Sequence, residues 1–439
     1  MSFMFDIVVV GAGPAGLAAA AASAQAGRRV ALLDENRKAG GQIWRASLGK
    51  PHPDPVRERA IASFQASGAA LFAGRQVVDA RMPGELKVWV DTTRMIETFG
   101  FGQLIIATGA RERFLPFPGW TLPGVFGAGG LQALVRSGYS VRGKRVVVAG
   151  TGPLLLAVAA HLKREDAEIV SIHEQAPISR LVRFGVGLLS RPAKIRQGFG
   201  FRAELAGVPY RAGSWVAEAQ GLERVTGVRV SDGRRTWTTP CDLLACGFHL
   251  VPNIELAALL GSRIADGVVQ VDSDQQTSLA GVYCAGEPTG IAGLDAAILQ
   301  GEIAGLAAAG LRRKAAGLHR KRDAEAAFGR AMSRAFALRK DLLHLAKPDT
   351  TVCRCEDVRF EQVQARATHQ AGWTDAKLQT RCGMGTCQGR VCGPALEAIF
   401  GWRNISVRQP LFPIPIAAMC SAPRCDNEIA IPISQETSQ

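Results

Sequence analysis

Near the N-terminus the hydrophobic positions come in short unbroken runs rather than in alternation. Phe5-Asp6-Ile7-Val8-Val9-Val10 and Val30-Ala31-Leu32-Leu33-Asp34 are two such runs. A strand covered on both faces reads this way, so both are predicted to lie inside a parallel sheet. Between them, Ala15 to about Ala26 is an alanine-rich stretch of helical length, and Gly27 ends it. Residues 71–100 alternate short apolar and polar runs instead, which predicts a small antiparallel meander. The unbroken pattern returns in Leu104-Ile105-Ile106-Ala107-Thr108-Gly109-Ala110, a buried strand closing on a glycine turn. A Pro- and Gly-rich connector follows from Leu115 to Gly130.

The strand–loop–helix–strand order then repeats. Arg145-Val146-Val147-Val148-Ala149 is a strand, Gly150-Thr151-Gly152-Pro153 a turn, Leu154 to Leu162 a helix, and Glu168-Ile169-Val170-Ser171-Ile172 the next strand. Two such openings predict an α/β protein with two doubly wound dinucleotide-binding domains. Gly281-Val282-Tyr283-Cys284-Ala285-Gly286-Glu287 is a further strand ending in a Gly-acid pair, with an apolar helix from about Asp295 to Gly310. It reads as a return to the first domain. The expected division is 1–115 and 281–345 for the first domain with its helical linker, 116–280 for the second, 346–416 for a cysteine-bearing unit, and 417–439 for a tail. The tail is polar beyond Asp426 and is expected to be disordered.

Composition narrows this picture only slightly. The formal net charge is +14, but the arginines are scattered, with short clusters at Arg312-Arg313-Lys314 and His319-Arg320-Lys321-Arg322. No basic stripe of the kind that tracks a phosphate backbone emerges, so no nucleic-acid partner is expected. No apolar stretch reaches the roughly 20 residues that span a bilayer. A cleavable leader is not expected, because the first strand runs straight into a glycine loop.

Chemistry concentrates in three places. Gly11, Gly13 and Gly16 have the spacing of a dinucleotide fingerprint, with Pro14 and Ala15 opening the helix. Gly11 permits the tight turn, Gly13 admits a pyrophosphate to the backbone, and Gly16 lets helix and strand pack closely. Asp34, 18 residues past Gly16, ends the second strand where an acid can bond a ribose hydroxyl; Glu35 is its neighbouring alternative. In the second unit Leu155 takes the third glycine's place, although Glu174 stands where a ribose acid would. A working nicotinamide site is therefore not expected there. Finally, Cys353, Cys355, Cys382, Cys387 and Cys392 bring five of the ten cysteines within forty residues. Soft thiolates gathered this way suit zinc or an iron–sulfur cluster, and they favour a reducing cytoplasm. Cys241 and Cys246 flank a buried strand and read as core, not as a redox disulfide; Cys420 and Cys425 read as structural or incidental. His173 and His249 follow strands and read as structural, and no acid/base constellation is placed by a motif.

The order Gly11–Gly16, Gly40-Gly41-Gln42, Ala107-Thr108-Gly109 and Gly286-Glu287 resembles the two-dinucleotide-domain flavoprotein reductases of glutathione-reductase-like fold. The resemblance implies FAD held by Gly41 and Gln42, by Ala107, Thr108 and Gly109, and by Gly286 with Glu287 on the ribityl chain. Glu287 is one methylene longer than the family's aspartate. It also implies that the helix near Gly293 aims its N-terminus at the flavin ring. Cys353-x-Cys355, 31 intervening residues, then Cys387-x4-Cys392 is similar to the bacterioferritin-associated-ferredoxin type of [2Fe–2S] domain. That likeness makes Cys353, Cys355, Cys387 and Cys392 the ligands and leaves Cys382 outside. Structural zinc more often uses C-x2-4-C pairs.

The string Arg381-Cys382-Gly383-Met384-Gly385-Thr386-Cys387-Gln388-Gly389-Arg390-Val391-Cys392, with Phe117-Pro118-Gly119-Trp120 and Pro410-Leu411-Phe412-Pro413, resembles the alpha (A) subunits of heteromeric amino-acid and opine dehydrogenases. In that family an amino-acid-oxidase-like beta subunit with its own FAD oxidises the amine, and the alpha chain carries electrons onward. The resemblance implies such a partner and a downstream quinone or electron carrier. It leaves room for a small third subunit, for an FMN at an interface between chains, and for peripheral attachment at the inner membrane. It implies no catalytic residue on this chain. The rival reading is a stand-alone NAD(P)H-dependent flavin/iron–sulfur reductase.

Overall fold

The computed structural model describes residues 2–45, 54–367, 372–403 and 407–420. Cys425 and the tail expected to be disordered lie outside the described residues. The first sheet runs, in spatial order, Ala70–Ala73, Val30–Asp34, Ser2–Val10 and Met95–Ile106, all parallel. Val282–Cys284 adds a fifth parallel strand against Leu104, Ile105 and Ile106. The chain thus returns to its first sheet after a long excursion. The meander Arg75–Arg81, Glu85–Val90 pairs antiparallel with the other half of Met95–Ile106.

Two expectations are refined here. Ala70–Ala73 is the parallel edge strand beside Val30–Asp34, not part of the meander. The meander's last strand and the buried strand at Leu104 are one continuous strand ending at Ile106. Its two halves read differently because they are covered differently. Around Met95–Thr98, exposed and buried positions mix, whereas Leu104, Ile105 and Ile106 are buried outright.

The second sheet is also parallel, in the order Tyr210–Ala212, Glu168–Glu174, Arg145–Thr151, Leu243–Phe248 and Val125–Gly127. A three-stranded antiparallel sheet, Trp215–Gln220, Gly227–Ser231 and Thr236–Pro240, packs on it. These two dinucleotide folds agree with the fold class read from the sequence. Cys241 and Cys246 are buried and unbridged. His173 is also buried, with ring nitrogens 2.9 Å from Ser171 Oγ and 2.8 Å from Ser214 Oγ. Burial lowers its pKa to about 4, so it is neutral near pH 7. No helix among the described residues is long and apolar enough to cross a membrane.

The alanine-rich helix Pro14–Gln25 is placed by the helix Leu294–Ala308 crossing over it. The approach depends on two glycines of the second helix. A Cβ on Gly301 would lie 2.0 Å from the Ala15 carbonyl oxygen, and one on Gly305 2.4 Å from that of Ala19. Neither can be accommodated without moving backbone. Ser23 Oγ donates to the Gly305 carbonyl and closes the same contact. The helix carrying the first glycine loop is thereby fixed against the helix that follows Glu287.

Gly301→Ala is expected to destabilise the chain by about 3 kcal/mol, the upper end of overpacking costs. Gly198→Ala, in helix Pro192–Glu204 with open space around it, is expected to stabilise by about 0.5–1 kcal/mol. Thermal unfolding of the two variants checks this. Equal effects would show that the helix contact is not tight.

Candidate functional site

The first glycine loop is built where the strand Ser2–Val10 meets the helix Pro14–Gln25. Gly11 has φ +104°, and a Cβ there would lie 2.3 Å from the Ala107 carbonyl oxygen. A Cβ on Gly16 would lie 1.7 Å from the Gly11 carbonyl oxygen. The Gly40-Gly41-Gln42 turn lies directly over this loop. Gly40 N donates to the Ala12 carbonyl at 2.7 Å, and a Cβ on Gly41 would approach Gly13 Cα to 2.9 Å. Gly13, Pro14 and Ala15 thus present a helix N-terminus with bare backbone, a form that suits a pyrophosphate.

The two acids at the end of the second strand take different places. Asp34 turns inward: its Oδ2 accepts from Ala12 N at 2.6 Å and its Oδ1 from Asn36 N at 2.7 Å. Glu35 faces a cleft of about 690 Å³ bounded by Gly74, Gln76 and Trp89, and its Oε2 accepts from Gln76 Nε2 at 3.2 Å. Asp34 therefore shapes the loop, and Glu35 is the acid available to a ribose. Ala107 N donates to Val10 O. Gly109 turns the chain with φ +69°, and Thr108 Oγ1 donates to the Asn253 carbonyl at 2.7 Å.

Gly286, with φ +80°, sits close against Ala15 and donates its N–H to Gln300 Oε1 at 2.8 Å. Glu287 follows it in a buried position. Its extra methylene lets Oε1 fold back to accept from Gly293 N at 3.2 Å, at the start of the helix Leu294–Ala308. The helix terminus expected to face a flavin ring therefore also meets this carboxylate. Glu287 Oε2 is buried with no hydrogen-bond partner. An orphaned acceptor beside Gly286 fits a polyhydroxyl chain that would donate to it. Burial raises the Glu287 pKa to about 7, against the opposing pull of the Gly293 and Ala292 amides.

The second glycine loop has the same plan and a different outcome. Gly152 N donates to Glu174 Oε2 at 2.7 Å, and Ala176 N to Glu174 Oε1 at 2.8 Å. Glu174 is thus spent on its own loop, as Asp34 is, and cannot serve as the ribose acid. The next residue, Gln175, is fully buried beneath the segment 336–339. Its Nε2 lies 3.3 Å from the carbonyls of both Phe336 and Ala337, and its Oε1 accepts from Arg339 N at 3.0 Å. Thr151 Oγ1 is 3.0 Å from the Phe336 carbonyl. Leu155 is buried among Val146, Val148 and Val158. The position that stays open at Glu35 is here strapped shut by the chain itself.

The cysteines converge. The Sγ atoms of Cys353, Cys382 and Cys392 all lie within 4.8 Å of one another, and all three residues are buried. Cys353 ends the strand Thr351–Cys353, Cys392 opens the helix Cys392–Phe400, and Cys382 follows the helix Trp373–Thr380. Hydrogen bonds from the Cys382 and Cys392 thiols hold the Cys353 pKa well below the usual thiol value. Cys387 is half-buried and interacts with the exposed Cys355. All four cysteines named by resemblance are in this region, and Cys382 stands among them. A donor set of clustered sulfurs fits an iron–sulfur cluster.

The sequence did not reveal how the two sites are joined. Arg111, three residues past Thr108, donates through Nη1 to Asn253 Oδ1 at 2.7 Å and lies 2.8 Å from Glu255 Oε1. Its Nε donates to the Arg390 carbonyl at 3.3 Å, between Cys387 and Cys392. Thr108, Asn253, Arg111 and Arg390 thus form a continuous bonded path from the first nucleotide site to the cysteines.

A dinucleotide fold with this arrangement defines a class, and residues 5–301 match it: the chain belongs to the pyridine nucleotide-disulphide oxidoreductase family. Within that class, relatives matched over nearly the full length are enzyme subunits. It is 31% identical to hydrogen cyanide synthase subunit HcnB of Pseudomonas protegens, over 96% of this chain and 98% of that one. It is 32% identical to the A subunit of the opine oxidase of Rhizobium meliloti, over 94% and 98%. In three dimensions it shares its fold with L-proline dehydrogenase from P. horikoshii, at a TM-score of 0.70 and 19% identity, over 95% of this chain and 80% of that one.

The raised Glu287 pKa has a defined sign in stability. Between the ordinary 4.5 and about 7, the folded chain holds a proton that the unfolded chain releases. Stability therefore falls as pH rises through that window and levels off above it. In flavin-free protein, Glu287→Gln is expected to flatten the fall, by at most on the order of 3 kcal/mol. Urea unfolding at about pH 5 and pH 8 measures it; identical slopes in both chains would show that Glu287 does not hold the buried proton.

Proposed function

We propose that this chain is the electron-transfer flavoprotein subunit of a heteromeric dehydrogenase acting on an amine or amino acid of the opine, hydroxyproline or proline type. The observation that supports the reading is the bonded path Thr108–Asn253–Arg111–Arg390, which runs from the strand end beside the first glycine loop to the cysteine loop. Bound FAD would exchange electron pairs, and a [2Fe–2S] cluster single electrons. Gly11, Gly13, Pro14, Ala15, Gly16, Glu35, Gly41 and Gln42 would hold the nucleotide half of the flavin. Gly109, Gly286 and Glu287 would line its other half. Cys353, Cys355, Cys387 and Cys392 would hold the cluster.

The strap over the second glycine loop favours this reading over a stand-alone NAD(P)H reductase. Phe336, Ala337 and Arg339 hold Gln175 and Thr151 where an incoming dinucleotide would need them. Electrons would then come from a flavin-bearing beta subunit that performs the amine oxidation, and would leave to a quinone or carrier. The likeness to HcnB and to the opine oxidase chain supports such a partner. A cytoplasmic complex, attached peripherally at the inner membrane, suits a quinone acceptor. The likeness leaves room for an FMN at the contact between the two chains.

Under anaerobic conditions, NADH is expected to leave the visible absorbance of the purified chain unchanged. A proline- or opine-type substrate is expected to bleach it once the chain is co-expressed with the beta subunit. Rapid bleaching by NADH alone would overturn the assignment in favour of the reductase.

A further inference from the structure

We propose that Cys382 is a reserve ligand, able to take the metal position served by Cys353 or Cys392. The inference rests on the cluster reading above and adds a residue to it. A cluster held by four thiolates leaves one of the five cysteines over. Cys382 is not set apart from the others: its sulfur is within 4.8 Å of both Cys353 and Cys392. A tetrahedral metal with bonds of about 2.3 Å to sulfur separates its sulfur ligands by roughly 3.8 Å. Any two of these three sulfurs can therefore meet one metal after a shift of about an ångström.

The loop holds Cys382 ready for this. Its amide donates to Thr380 Oγ1 at 3.2 Å, closing the end of the helix Trp373–Thr380. Arg381 adopts a left-handed conformation with φ 64° and bonds Glu356, next to Cys355. Gly383, with φ +80°, lies against Trp373, where a Cβ would be 2.7 Å from the ring. The thiol is thus fixed in the interior, where a spare sulfur is protected and close. Cys387 has Cys355 beside it, and among the described residues no third thiol lies within 4.8 Å of both. The two halves of the donor set should then tolerate loss unequally.

The test uses the full chain, reconstituted anaerobically with ferric iron and sulfide, and reads acid-labile sulfide, iron and the electron paramagnetic resonance of the reduced protein. Bound flavin absorbance checks that each variant is folded. Cys382→Ala and Cys392→Ala are each expected to keep the cluster, whereas the double variant loses it. Cys387→Ala alone is expected to lose it. Cys353→Ala provides a second route, because Cys382 should cover that position too. If Cys392→Ala and Cys353→Ala, both with flavin bound, are as empty as the double variant, Cys382 is no reserve ligand. If the wild-type chain takes zinc and no sulfide, the cluster reading itself falls, and this inference with it.

Discussion

The guanidinium of Arg111 ties the molecule's two chemical sites together. It is about three-quarters buried and reaches two segments distant in sequence, one holding Asn253 and Glu255 and the other the Arg390 carbonyl. An exposed pair such as Arg142–Asp166, whose side chains are 80% and 63% accessible, contributes little to stability. Arg111 differs because it and its partners are only partly accessible. Glu255 is only 20% accessible, and its next cation, Arg390, is 3.8 Å away. Removing Arg111 would leave this half-buried carboxylate with Arg390 as its neighbouring cation. The same group sets how the turn after Ala107 lies against the cysteine loop. Further contacts extend this seam: Arg390 Nη2 donates to the Leu411 carbonyl and Trp120 Nε1 to that of Thr351.

Around this seam, similar backbone plans serve different ends. Each dinucleotide fold has a glycine loop, and each has an acid that turns inward to bond that loop. The residue after the acid decides whether the site stays open. Glu35 is left facing a cleft, whereas Gln175 is drawn under the chain's own segment 336–339. In one fold this position stays open, and in the other it carries the linker leading to the cysteines. On the proposed reading no close phosphate approach is required at this loop, and the buried Leu155 adds to the core.

Much of this was legible in the sequence because it rests on local pattern. The unbroken runs at Val8–Val10 and Val146–Val148 announce buried parallel strands, and the glycine spacing announces the turns between them. The features that were not legible depend on distant partners. Gly301 and Gly305 look like poor helix formers until Ala15 and Ala19 are seen against them. Asp34 and Glu174 look like ribose acids until the amides of Ala12 and Gly152 are found to consume their oxygens. Cys382 was set aside by resemblance, and only the folded chain brings its sulfur beside Cys353 and Cys392. Arg111 carries no motif, so no spacing rule could have found it.

On the proposed reading, one chain holds a flavin and an iron–sulfur cluster side by side. Stepwise anaerobic reduction of the purified chain with dithionite, followed by absorbance and low-temperature electron paramagnetic resonance, tests it most directly. Uptake of one electron more than the bound flavin alone accepts is expected, together with a spin-half signal that persists at full reduction, where flavin is diamagnetic. Uptake equal to that of the flavin alone, with no such signal, would contradict it.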